Sequence, residues 1–138
     1  ETSGYAPAES YQQVARQMDL VIQDIKLLDP AAHRYYTGVD NAMILHNVRW
    51  LVHSGIPFRI RVPLIPTVND NPAMMEGIVH LLEGAHALEK VELLPYNTAA
   101  GAKYAGLSMD YQPQFPVSRK PNIPIEPFKE AGIPCDIL

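Results

Sequence analysis

The sequence predicts an α/β fold built from parallel βα units. Segments in which apolar residues recur at helical spacing take turns with short segments in which apolar and polar residues alternate. The connections between these segments are short, and strands joined through helices in this way pair in parallel. With 138 residues, of which 47% are hydrophobic, the chain is long enough for one core. We therefore expect a single domain over residues 1–138.

The first helix and the first strand are predicted to precede residue 26. Pro7 can occupy the first turn of a helix, and apolar residues recur at helical spacing from there to Met18. A strand over 19–25 follows, and its alternation places Asp24 and Lys26 on the same face. A charge without a partner in a core costs several kcal/mol. These two side chains are therefore expected to pair with each other or to meet a bound group.

The segment DPAAHRYYTGVDN is predicted to be a loop with one turn of helix, because Gly38 interrupts it. His33, within this segment, is expected to be solvated. Asp40 or Asn41 can cap the helix that follows, which is predicted to extend to about Ser54.

The second predicted strand, over 58–65, lies in the stretch PFRIRVPLIP. Its alternation places Arg59 and Arg61 on one face and apolar side chains on the other. Asn71, followed by a proline, predicts the start of a helix that extends to about Ala85.

The last third of the chain predicts two further strands, in KVELLPY and in GIPCDIL. Residues 112–138 are rich in proline. We expect this tail to wrap the domain irregularly, with a last helix and strand, rather than to form a second domain.

Composition excludes several classes of function. The formal net charge of −4 makes a nucleic acid an unfavourable partner. No apolar run is long enough to span a membrane, and the first ten residues lack the basic and apolar regions of a signal peptide. A cytoplasmic location is expected by default. Cys135 is the single cysteine, which excludes a disulfide or a multi-cysteine metal site within the chain, and we expect it to be buried and inert.

Polar side chains cluster where the predicted strands end. In parallel α/β folds, ligands bind at the carboxyl ends of the strands. If another strand precedes the chain, its first residues lie at the same edge. The residues expected there are Glu1, Thr2, Asp24, Lys26, Arg61, Tyr96 and Asn97.

Five stretches together resemble one protein family. ETSGY, DLVIQDIK, HRYYTGVDN, FRIRVPLIPTVND and VELLPYNTAAGAKY occur in this order over about residues 1–111. They are similar to consecutive blocks of the glycyl-radical enzyme activating enzymes, the radical S-adenosylmethionine proteins typified by pyruvate formate-lyase activating enzyme. The proline-rich tail matches this family poorly.

The resemblance implies the C-terminal half of a partial (β/α)6, TIM-like barrel. It also implies an anaerobic oxidoreductase with a [4Fe-4S] cluster, which cleaves S-adenosylmethionine reductively to a 5′-deoxyadenosyl radical. That radical removes hydrogen from the glycine loop of a partner such as pyruvate formate-lyase, and flavodoxin or ferredoxin supplies the electron.

One departure from the family concerns the cluster. The family holds it with a Cys-x3-Cys-x2-Cys loop, in which three thiolates ligate three irons and leave the fourth iron for the cofactor. Cys135 cannot replace that loop. We therefore expect no cluster in this chain and no catalytic residue, so that activity belongs to a full-length parent.

The resemblance also assigns roles to individual residues. Lys103, in GAKY, is expected to line the partner-binding face. Asn97 falls where many relatives have a histidine near the adenosine. A monovalent cation is implied at Glu1, Thr2, the carbonyl of Ile22 and Asp24. The residues implied to contact S-adenosylmethionine are Glu1, Thr2, Asp24, Lys26, Arg61 and Asn97.

Two other classes of function remain open at this point. A Schiff-base aldolase also places a lysine at the end of a barrel strand, beside an acid. Asp24 close to Lys26 argues against it, because a neighbouring carboxylate favours the charged lysine. The other class is a non-catalytic module that docks a glycyl-radical enzyme.

Overall fold

Within the residues that the structure describes, four parallel strands form one sheet whose order follows the chain, β1-β2-β3-β4. The structure is a computed structural model, and it describes residues 1–97, 106, 110 and 112–138. The strands are β1 (Val21–Asp24), β2 (Phe58–Leu64), β3 (Leu88–Pro95) and β4 (Cys135–Ile137). The predicted α/β fold with parallel strands is thereby confirmed.

Helices connect these strands and complete the fold. The three helices whose ends were predicted stop earlier, at Ala15, Val52 and Leu81 instead of about Met18, Ser54 and Ala85, because the chain continues there in tighter turns with hydrogen bonds between residues three apart. The helices are α1 (Ala8–Ala15), α2 (Pro30–Thr37), α3 (Ala42–Val52), α4 (Pro72–Leu81) and α5 (Glu126–Glu130).

The loop predicted between β1 and α3 was wrong, because α2 occupies it. Asp29 caps this helix by accepting a hydrogen bond from the backbone N–H of Ala32 at 2.6 Å, and a proline follows at the first helical position. Gly38 ends it with φ of 84°, a left-handed conformation that suits glycine. The expected solvated His33 was wrong as well: it is buried, with Nδ1 2.7 Å from the carbonyl oxygen of Val39.

The core lies on one side of the sheet. Alternate residues of β2 from Phe58 to Leu64 are fully buried, as the alternation predicted. They pack with apolar residues of α1, α3 and α4 and with Phe128 of α5 in one cluster. The helices therefore cover this face, and the opposite face carries the charged side chains of the strands.

The two borders of the sheet differ. Thr2 lies beside β1, where it forms a parallel bridge with Gln23. At the other border, β4 pairs with β3 from Val91 to Leu93. In the described part of the chain, no helix has both the length and the apolar character needed to cross a bilayer.

Candidate functional site

The candidate site is a row of charged side chains on the face of the sheet opposite the helices. The strand register pairs Asp24 with Arg61, Arg61 with Glu92, and Glu92 with Asp136. Since neighbouring residues in a parallel register point to the same face, the row runs across all four strands. The sequence predicted the first two members, and the structure brings them together as register neighbours.

Asp24 and Lys26 pair with each other, which is one of the two outcomes expected for them. Lys26 Nζ donates to Asp24 Oδ2 at 3.2 Å. The other carboxylate oxygen, Asp24 Oδ1, is buried and finds no hydrogen-bond donor among the described residues. Buried polar atoms in proteins nearly always have a partner. This oxygen is therefore suited to accept a hydrogen bond from a bound ammonium group or to contact a cation.

Arg61 is held between two carboxylates. Its Nε and Nη2 donate to Glu92 Oε2 at 3.0 and 2.7 Å, and its Nη1 donates to Glu1 Oε2 at 2.7 Å. The Glu92 side chain is 3% exposed, whereas that of Glu1 is 54% exposed. The contact with Glu92 is therefore fixed by burial, and the contact with Glu1 is open to exchange.

Glu92 is a member of this row that the sequence reading missed. Its Oε1 also lies 3.5 Å from both Arg59 Nη1 and Lys90 Nζ. Burial alone raises the pKa of the Glu92 carboxyl, but the hydrogen bonds and charges of Arg61 and Lys90 outweigh it and hold the pKa below its ordinary value of 4.5. The signal was available in KVELLPY, where alternation places Glu92 on the face that carries the arginines of β2.

Glu1 and Thr2 lie beside the end of β1, as expected for residues at the same edge. The N–H of Thr2 donates to the carbonyl of Ile22, and the N–H of Asp24 donates to the carbonyl of Thr2, both at 2.9 Å. Thr2 Oγ1 accepts a hydrogen bond from the N–H of Gly4 at 3.0 Å. Four oxygen-bearing residues of the predicted cation site are thus neighbours along two paired segments.

An open cleft of about 800 Å³ lies at the carboxyl ends of the strands. Lys26 reaches it from β1, Tyr35 and Tyr36 from α2, and Tyr96 from the end of β3. Phe115 of the tail closes one side and packs edge-to-face on Tyr96, with ring centroids 5.0 Å apart. The cleft is therefore mainly apolar, with four aromatic side chains and with Lys26 as its cationic group.

Asn97 lies at a second, smaller opening. This opening, of about 410 Å³, is lined by Asn97 together with Arg119 and Lys120 of the tail. Tyr96 lines both openings, so Asn97 lies next to the cleft that Lys26 lines. Lys103, expected on the partner-binding face, lies outside the described residues.

Two consecutive side chains that the sequence reading did not single out fix the rim of the cleft. Asn69 is buried; its Nδ2 donates to the carbonyls of Lys26 and Pro63, at 2.7 and 2.8 Å. Asp70, also buried, accepts hydrogen bonds from the N–H groups of Thr67 and Asn122, at 2.7 and 2.8 Å. These contacts tie the ends of β1 and β2 to each other and the tail to the loop before α4.

The chain does not provide the ligands of an iron–sulfur cluster. Cys135 is its single cysteine. The expectation that it is buried was wrong: it is half-buried, because β4 lies at the border of the sheet, and this partial burial raises the pKa of its thiol to about 11. Among the described residues, no group of three or more histidine, cysteine, aspartate or glutamate side chains is arranged to hold a metal ion. One protonated thiol does not fit a site that needs three thiolates.

Comparison with known proteins finds activating enzymes among the relatives of this chain. No protein-family profile matches the chain. The choline trimethylamine-lyase activating enzyme of Oleidesulfovibrio alaskensis is 37% identical over 114 residues, which are 80% of this chain and 37% of that protein. The trans-4-hydroxy-L-proline dehydratase activating enzyme of Clostridioides difficile is also 37% identical over 114 residues, 81% of this chain and 37% of the relative.

A solved structure matches nearly the whole chain. It is a domain of pyruvate-formate lyase-activating enzyme from Bacteroides vulgatus, with a TM-score of 0.75 and 25% identity. The match covers 99% of this chain and 78% of that one. The chain therefore spans little more than a third of the curated relatives but most of this crystallised domain.

Proposed function

Because the chain is related to the glycyl-radical enzyme activating enzymes over a segment equal to 37% of the length of its curated relatives, we propose that it is the part of such an activase that holds S-adenosylmethionine. When bound and cleaved reductively, this cofactor supplies the 5′-deoxyadenosyl radical that removes hydrogen from a glycine of the partner enzyme. The β1–β4 sheet is then the C-terminal half of a partial (β/α)6 barrel.

The observation that carries the proposal is the buried Oδ1 of Asp24. It finds no donor among the described residues, and it lies in register with Arg61. S-adenosylmethionine has an amino acid end with an ammonium and a carboxylate. An acceptor that lacks a donor beside a guanidinium is complementary to both groups, because each would gain a charge-assisted hydrogen bond.

The proposed roles follow from this complementarity. Asp24 accepts from the ammonium group, and Lys26 and Arg61 bind the carboxylate. Asn97 donates or accepts a hydrogen bond at the adenosine end. Glu1 and Thr2, with the Ile22 carbonyl and Asp24, hold a monovalent cation beside the amino acid end.

The cluster has no place in this assignment, because the chain contains a single cysteine. The three thiolates of a [4Fe-4S] site must come from residues outside these 138. The chain's own residues therefore bind and orient the cofactor, and none is assigned to the electron transfer that cleaves it.

The same proposal covers the partners. The substrate is the glycine loop of a glycyl-radical enzyme, which we place at the cleft lined by Tyr35, Tyr36 and Tyr96. A small electron carrier of the flavodoxin or ferredoxin type supplies the reductant to the complete enzyme.

A Schiff-base aldolase is less consistent with the geometry. The nucleophile of such an enzyme is an uncharged lysine amine, whereas Lys26 Nζ donates to the Asp24 carboxylate at 3.2 Å. Borohydride in the presence of a carbonyl substrate would trap Lys26 if this class were correct. A module that only docks a glycyl-radical enzyme would bind the partner and not the cofactor.

A chimera tests the proposal. In the choline trimethylamine-lyase activating enzyme, the matching 114-residue segment is replaced by this chain, and the cluster is reconstituted anaerobically. We expect reductant-dependent formation of 5′-deoxyadenosine, measured by chromatography, and its loss in the chimera with Asp24→Ala. A chimera that shows the cluster spectrum but neither binds nor cleaves S-adenosylmethionine contradicts the proposal.

A further inference from the structure

Glu92 is a buried carboxylate for which the proposed function has no direct use. Its side chain is 3% exposed and lies in the middle of β3, on the charged face of the sheet. Burying a carboxylate is costly unless charged partners surround it. The carboxylate of Glu92 therefore depends on the charged partners around it.

The two oxygens of Glu92 serve different partners. Oε2 accepts both hydrogen bonds from Arg61, at 3.0 and 2.7 Å. Oε1 faces Arg59 and Lys90, each at the longer distance of 3.5 Å. The short contacts thus belong to Arg61, and the long ones anchor the carboxylate from the other side.

This division determines which edge of Arg61 is available. The edge formed by Nε and Nη2 is occupied by Glu92. On the other edge, Nη1 contacts Glu1, whose side chain is half exposed. An exposed ion pair of this kind contributes less binding energy than the buried contact with Glu92. A guanidinium binds a carboxylate through two parallel N–H groups, and the Nη1–Nη2 edge is the one that can offer them here.

We propose that Glu92 is a positioning residue that fixes Arg61, so that its Nη1–Nη2 edge takes the carboxylate of the bound cofactor in place of Glu1. The inference rests on the proposed function for the identity of the ligand. It goes beyond that function because Glu92 itself touches no ligand and acts through Arg61.

The test measures binding of S-adenosylmethionine to the 138-residue chain by calorimetry. Glu92→Asp keeps the charge but withdraws the carboxylate by one methylene, and we expect about tenfold weaker binding from the lost charge-assisted contact. Glu92→Gln keeps the length but loses the charge, and should weaken binding as well. Glu89→Gln is the matched control, because Glu89 pairs with Arg59 at 2.7 Å and makes no contact with Arg61; its binding should equal that of the wild type.

A double-mutant cycle separates positioning from a general structural role. In an Arg61→Ala background, Glu92→Asp should cause no further loss of affinity. Equal losses in both backgrounds, or wild-type affinity in both Glu92 variants, would overturn the proposal. Circular dichroism on each variant shows whether the fold is retained, and the proposal is judged only on the variants that retain it.

A second measurement keeps the two proposals distinguishable. If the wild-type chain does not bind S-adenosylmethionine, the proposed function fails for this chain, and the dynamics of Arg61 decide the role of Glu92. The Nε–H group of Arg61 is followed by ¹⁵N relaxation. The Arg61 side chain should be restrained in the wild type and in Glu89→Gln, and mobile in Glu92→Asp. Equal mobility in all three proteins rules out positioning by Glu92.

Discussion

The two faces of β2 are built from seven consecutive residues and are held in different ways. On the helix side, Phe58 and Ile60 are fully buried among apolar neighbours. On the other side, Arg59 and Arg61 are held by ion pairs with Glu89, Glu92 and Glu1. Apolar packing is lost only by unfolding or by leaving a cavity, whereas an exposed ion pair can exchange one partner for another. The helix side therefore determines stability, and the charged side can bind a ligand without a change of fold.

The largest expected effect is on the helix side. Phe58→Ala removes a fully buried ring and should lower the free energy of unfolding by about 3–5 kcal/mol, since the cavity closes only in part. Urea unfolding followed by circular dichroism measures it. Arg59→Ala, one residue away on the charged face, is the control and should cost at most about 1 kcal/mol, as surface ion pairs do. Similar losses in both variants would contradict the contrast between the faces.

Arg61→Ala should lower stability more than other changes on the charged face. Its loss leaves Glu92 with contacts of 3.5 Å to Arg59 and Lys90 only. We expect a loss of about 1.5–3 kcal/mol in unfolding free energy, the range for hydrogen bonds to charged groups. Urea unfolding measures it, and the double variant Arg61→Ala with Glu92→Leu should regain part of the loss. Wild-type stability in Arg61→Ala would mean that the buried carboxylate does not depend on this arginine.

Asp24→Ala should separate binding from stability. Its buried Oδ1 has no donor to lose among the described residues, and its ion pair with Lys26 is partly exposed, so the free energy of unfolding should fall by at most about 1 kcal/mol. Affinity for S-adenosylmethionine should fall about ten- to a hundredfold, the equivalent of one charge-assisted contact of about 1.5–3 kcal/mol. Calorimetry on the chain measures the affinity. Binding equal to that of the wild type would place the site elsewhere.

The acid stability of the chain should depend on Glu92. Because the folded-state pKa of its carboxyl lies below 4.5, the group contributes stability above about that pH, and this contribution is lost as the pH falls through the folded-state pKa. The free energy of unfolding, measured from pH 7 to pH 3, should therefore fall less steeply below pH 4.5 in Glu92→Gln than in the wild type. Parallel acid limbs in the wild type and in Glu92→Gln would contradict the prediction.

The smallest effect is expected for Asn97→Ala. Loss of a neutral hydrogen bond to the adenosine end should cost about 0.5–1.5 kcal/mol of binding free energy, roughly a two- to tenfold lower affinity. Calorimetry with S-adenosylmethionine measures it, beside Asp24→Ala as the reference. A larger loss in Asn97→Ala than in Asp24→Ala would reverse the proposed order of contacts.

Local pattern was sufficient to predict much of the fold. The alternation in β2 predicted which side chains face the helices, because period-two geometry fixes the side of each residue. Asn71 was predicted to open α4, and its Oδ1 accepts from the N–H of Met74 at 3.0 Å. The same alternation placed Asp24 and Lys26 together, and they form an ion pair.

Local pattern could not predict the contacts between distant segments. The partner of Arg61 is Glu92 on the next strand, and strand register depends on the whole sheet rather than on either sequence. Asn69 and Asp70 bind backbone groups in three other segments, which no local spacing encodes. The α2 helix is a different case. Asp29 and Gly38 are local signals for the start and the end of a helix, but the residues between them are mostly polar and lack a clear apolar spacing, so a helix was not predicted.

The strand order has a consequence for how the chain assembles during synthesis. Because β1, β2, β3 and β4 neighbour one another in chain order, each strand meets a partner that has already been made, and none has to insert between two strands in place. Non-local pairing slows folding through the entropy of closing the intervening loop, and the longest of these intervals lies between β3 and β4. The short β4 (Cys135–Ile137) should therefore dock last, onto a sheet whose charged row from Asp24 to Glu92 is already formed.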